Sequence, residues 1–143
     1  MGSRAPKWDP LYAAPELLRR LRASSKHRRV HLGPREYALA ERKGIETLKA
    51  EARKIVLTRI SELRGVSDGR QTPMRGHPVF LAQHATGICC RDCVLEWHGI
   101  PKRGVMSAKQ LNHLHSVLTA WLETTVAIGV PEGCGCKTCT TLD

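Results

Sequence analysis

The chain has 143 residues and a mass of 15.9 kDa, which places it in the range of one domain with or without tails. With 41% hydrophobic residues it can build a core, which excludes global disorder, and no run of about 18 apolar residues exists to make a membrane-spanning helix. Twenty-three Lys and Arg against 13 Asp and Glu give a net charge of +10, concentrated in residues 1–71 with 17 basic and 8 acidic side chains, whereas all six cysteines lie in the second half.

The first residues, with Pro6 and Pro10 and no apolar stretch of the secretory kind, read as a mobile arm over 1–15. Leu17, Leu18 and Leu21 then give a short helix an apolar side, with Arg19, Arg20 and Arg22 on the other. Lys26, Arg28 and Arg29 complete six positive charges in eleven residues, a density suited to phosphates and hence to nucleic acid bound through its backbone. Pro34 after Gly33 opens a helix that runs to about Lys43 and is interrupted by Gly44. From Ile45 the apolar residues 48, 52, 55, 56, 60 and 63 keep the spacing of one amphipathic helix, followed by a polar loop from Gly65 to Pro73 with a turn at Asp68-Gly69.

A short helix is expected from Pro78, a strand being the alternative at this length, and a further helix covers Cys90 to Trp97 and stops at Gly99-Ile100-Pro101. The last helix starts after Ser107, carries Leu111, Leu114, Leu118, Leu122 and Val126 on one side, and ends before Gly129. Period-two runs are scarce, so the fold class is mainly α: a small single-domain helical fold over 16–128 with a Cys/His metal site, and a Cys-rich extension over 129–143.

Cysteine usage carries the chemistry. No secretory signal is visible, so a reducing cytoplasm is the expected setting, and there clustered thiols serve metals better than disulfides. Cys90 and Cys93 form one C-x-x-C and Cys136 and Cys139 another, and such turns aim two thiolates at one tetrahedral centre. Zinc suits a soft N/S donor set, with an iron–sulfur cluster as the alternative. A second arrangement uses His77 or His84 with Cys90 and Cys93. His98, beside Trp97, reads as a packing residue, and His113 and His115 face different ways on their helix. The deaminase pattern fails because no H-x-E is present to carry the proton. Were the chain a metal-dependent nuclease or hydrolase, its chemistry would sit among Arg75, His77, Gln83, His84 and Arg91. Arg75 and Arg91 join the nucleic-acid set on the same grounds.

The stretches Lys26 to Leu32, Lys43 to Leu48, Asp68 to Phe80, Ala82 to Thr86, Cys89 to Cys93 and Trp97 to Pro101 together resemble an uncharacterised family of small bacterial and phage proteins, classified as a domain of unknown function. The resemblance covers about residues 20–127 and centres on R-G-H-P-V-F, Q-H-A-T, C-C-R-x-C and W-H-G-I-P. It implies a compact helical domain with a metal site and supplies no activity. It also implies that the site closes without Cys136 and Cys139, which sets the arrangement of His77, His84, Cys90 and Cys93, with His31 or His98, beside the four-cysteine one. The reading is therefore of a cytoplasmic, zinc-binding, nucleic-acid-associated binding protein with no membrane partner; the alternative is a metal-dependent enzyme acting on nucleic acid.

Overall fold

The computed structural model describes residues 8–62, 72–102 and 104–129. Among them are seven α-helices and no strand: α1 (Ala14–Ala23), α2 (Ser25–Arg28), α3 (Pro34–Lys43), α4 (Ile45–Ile55), α5 (Pro78–Ala85), α6 (Arg91–His98) and α7 (Ala108–Ile128). The fold is mainly α, and none of these helices is long and apolar enough to cross a membrane. Most of the 65–73 loop and the 133–139 cysteine knuckle lie outside the described residues.

Helix boundaries follow local chemistry. Pro34 and Pro78 open α3 and α5, where a missing N–H costs nothing. At Ser107 a reciprocal capping box starts α7: the Ser107 Oγ accepts from Gln110 N at 3.2 Å, and Ser107 N donates to Gln110 Oε1 at 2.9 Å. Gly44, at φ +84°, turns the chain between α3 and α4.

The 21-residue α7 is the spine against which α1, α4 and α5 pack. Leu114, Leu118 and Leu122 are fully buried there against Leu17 and Leu21 of α1, Ala52 of α4, and Val79 and Ala82 of α5. A buried leucine contributes about 1.5–3 kcal/mol, so this seam is the main source of stability.

Three local details extend the sequence reading. The amphipathic helix from Ile45 is not uniform: beyond Ile55 it widens into a π-helical turn, Val56–Ser61, closed by Glu62 N to Leu57 O at 3.0 Å. The Lys26 to Arg29 stretch overlaps the short helix α2, which brings His27 into the interior at 4% exposure. Within the stretch read as an arm, Trp8 and Tyr12 pack on the core, and Trp8 Nε1 donates to Gly99 O at 3.1 Å.

Candidate metal centre

The strongest grouping of chemistry-bearing side chains starts at a tight turn after α5. Gly87 has φ +70°, and a Cβ placed there would lie 3.0 Å from Trp97 Cδ1, so both the backbone conformation and the close approach require glycine. The turn is bonded on every side. Gln83, fully buried, accepts the Ile88 N–H on its backbone carbonyl at 2.8 Å and donates from its side-chain Nε2 to Ile88 O at 3.2 Å. Thr86 Oγ1 donates to Ala82 O at 2.6 Å, and Thr72 Oγ1 donates to Cys89 O at 2.8 Å. The Q-H-A-T and C-C stretches are thus one device: a helix end that fixes the turn presenting the cysteines.

His98, with no exposed surface, completes the frame. A carbonyl oxygen only accepts, so the His98 Nε2–H donates to Thr86 O at 2.9 Å and Nδ1 accepts from His113 Nε2 at 3.0 Å. Burial pushes the His98 pKa down to about 4 and that of His113 down as well. His98 is a packing residue, as its place beside Trp97 implies.

From this frame Cys89, Cys90 and Cys93 project their Sγ atoms to within 4.8 Å of one another. Cys90 is the N-cap of α6 and Cys93 lies in its first turn, where the helix dipole favours negative charge. The Cys93 thiol is pushed down to about 6 because Cys89 and Cys90 donate hydrogen bonds to its sulfur, with the Lys26 ammonium adding to the effect. The Cys89 thiol is pushed up by that same bond, and Cys90 is pushed up by burial. One sulfur is thus poised as a thiolate and two serve as donors. Zinc–sulfur bonds of about 2.3 Å in a tetrahedron put sulfurs about 3.8 Å apart, inside the 4.8 Å that bounds this trio. The three residues could hold a metal ion.

Sequence reasoning missed Cys89 as a member. The overlooked signal is the adjacent pair at a helix start, with Cys90 as the N-cap (φ −161°, ψ 167°) and Cys93 in the first turn.

The other expected ligands are distributed as follows. His84 lies outside that 4.8 Å group but beside it: its Nε2–H donates to Pro73 O at 3.1 Å, next to the Thr72 that holds Cys89, and Lys26 acts on both His84 and Cys93. The Thr72 backbone also hydrogen-bonds this imidazole, so His84 is tied to the segment that holds Cys89. His77 is committed elsewhere. Its Nδ1 accepts from Val79 N at 3.0 Å as the cap of α5, and its Nε2–H donates to Glu51 Oε1 at 2.8 Å, with Lys43 on the other carboxylate oxygen at 2.8 Å. Cys136 and Cys139 lie outside the described residues.

The basic residues also divide. Arg19 and Arg20 are exposed and paired with Glu16, and Arg20 lies 4.1 Å over the Tyr12 ring. Arg22, Lys26, Arg28, Arg29 and Arg75 are exposed. Arg91 is the correction: it is 2% exposed, and its guanidinium donates to Pro101 O at 2.7 Å, Gly104 O at 3.0 Å, and Ile60 O and Ser61 O at 3.3 Å each. The last two are carbonyls at the C-terminal end of the π turn, so Arg91 places its cation at the negative end of that helix and, being buried, cannot reach a phosphate.

A family model described as "Domain of unknown function (DUF4186)" matches residues 15–123, a span that contains the cysteine turn and its frame. No solved structure matches the chain.

Proposed function

Because the chain belongs to the DUF4186 family, whose description assigns no activity, we propose its role from the site: a metal-anchored helical module that binds nucleic acid through phosphates. The observation that carries this reading is the convergence of the Cys89, Cys90 and Cys93 sulfurs on one point of a rigid turn. Zinc is the resident metal. Cys89, Cys90 and Cys93 supply three thiolates, and the fourth position is filled by His84 or by Cys136 or Cys139 from the 129–143 extension. The metal ties the turn to α6, and Lys26 offsets the negative charge that three thiolates leave on a divalent ion. Arg22, Lys26, Arg28, Arg29 and Arg75 meet phosphates, in keeping with the +10 net charge.

Elemental analysis of the purified chain tests the metal. One zinc per chain is expected, lost in Cys90→Ser and Cys93→Ser and reduced in Cys89→Ser; metal-free native protein would overturn the assignment. Zinc retained in Cys136→Ser and Cys139→Ser but lost in His84→Ala identifies the histidine. The opposite result identifies the extension. Three protein ligands with a bound water, found by X-ray absorption, would favour the hydrolase alternative. Fluorescence anisotropy with a labelled oligonucleotide across salt concentrations tests the partner. Affinity should fall linearly on a log–log plot, and each phosphate-contacting cation removed should lower the slope by about one.

A further inference from the structure

A cavity of about 210 Å³ lies where α1, α2 and the C-terminal half of α7 meet. Its lining includes the buried Leu21 and Trp121 and the half-buried Tyr37, whose hydroxyl donates to Thr125 O at 3.3 Å. Its rim carries Arg22, Arg28 and His31, and no acidic side chain is among the described residues that line it. Nothing in the metal centre uses this cavity, although α2 borders both, with Lys26 acting on the cysteines and Arg28 lining the cavity.

We propose that this cavity is a site for a single nucleotide unit, with the base against Trp121 and Tyr37 and the phosphate between Arg22 and Arg28. The argument is one of complementarity. The volume is below the roughly 300–1,000 Å³ of sites that enclose drug-sized ligands, so it takes the base alone and leaves the sugar and phosphate outside, against the exposed Arg22 and Arg28. A bare phosphate leaves the aromatic lining uncovered, and a hydrocarbon leaves two guanidinium groups without an anion. A flat π-system joined to a phosphate uses both, through stacking and bidentate charge-assisted hydrogen bonds. The nucleotide can come free in solution or as an unstacked residue of a single strand; the second source rests on the nucleic-acid reading above.

The test uses the full chain, with AMP and a short single-stranded oligonucleotide as probes. AMP should quench the emission of Trp121 and saturate below about 1 mM, whereas inorganic phosphate and benzoate should bind at least tenfold more weakly. The double variant R22Q/R28Q should weaken AMP at least tenfold, and R42Q/R53Q, which removes two exposed charges away from the cavity, should leave it within twofold. Trp121→Phe, checked for retained helical circular dichroism, should lose the quenching. Quenching that persists in Trp121→Phe overturns the site, and benzoate binding as tightly as AMP overturns the ligand class. If the oligonucleotide binds with salt dependence while AMP does not, and R22Q/R28Q costs it no more than R42Q/R53Q, the site is refuted and the broader reading stands. AMP binding that depends on Arg22 and Arg28 without any oligonucleotide binding refutes the broader reading and assigns the cavity to free nucleotides.

Discussion

Arg91 offers the sharpest test of the physical account, because charge patterning alone places it on a nucleic-acid surface and the structure places it inside. Its guanidinium donates to four carbonyls from three segments: Ile60 and Ser61 at the end of the π turn, Pro101 after α6, and Gly104 before α7. Pro101 and Gly104 belong to exposed residues and can take water instead, whereas Ile60 and Ser61 are 0% and 3% exposed. Stranding two buried carbonyls costs about 1–3 kcal/mol each. Losing the packed side-chain stem adds about 1 kcal/mol, so Arg91→Ala should destabilise by about 4 kcal/mol. Against a total of about 5–15 kcal/mol for a native domain, that removes much of the stability. Arg91→Lys, which keeps charge but lacks the planar fork, should cost about 2 kcal/mol. Urea unfolding followed by circular dichroism measures both through a lower midpoint at unchanged slope. A loss below about 1 kcal/mol in Arg91→Ala would refute the reasoning, as would folded Arg91→Lys protein whose oligonucleotide affinity drops while its stability does not.

The remaining expectations concern titration and local geometry. His98 has a folded pKa of about 4 against an ordinary 6.5, so between those values the unfolded chain binds a proton that the native state refuses. Stability should therefore fall as pH drops from about 6.5 to about 4, by roughly 3 kcal/mol from His98, with His27 and His113 adding in the same direction; flat unfolding midpoints over that range would contradict the buried, neutral pair. Gly87→Ala must hold φ +70° with a Cβ 3.0 Å from Trp97, and should lower thermal stability by about 1–3 kcal/mol, measured by calorimetry. Ser107→Ala removes the cap of α7 and should cost about 1 kcal/mol in the same assay, whereas Ser107→Asn should restore most of it.

What could be read in the residues is what depends on neighbours along the chain. Pro34, Pro78 and Ser107 mark helix starts, the Leu111 to Val126 spacing marks α7, and a C-x-x-C at a helix start marks a thiolate-favouring turn, because capping, periodicity and dipole act within one or two turns. The mainly α class and the importance of Cys90 and Cys93 follow from such local rules. Four features belong to tertiary structure. Whether Arg91 meets solvent or carbonyls depends on three segments converging from 10 to 31 residues away. Whether His77 is free for a metal depends on Glu51 across α4 and α5. Cys89 joins its neighbours only because Gln83, Thr72 and His98 fix the turn, and the Trp121 cavity exists only where α1 and α2 meet α7. An arginine or a histidine has the same charge and donors on a surface as in a core, so residue type cannot distinguish the two roles; only the packing that removes water decides which partner the side chain keeps.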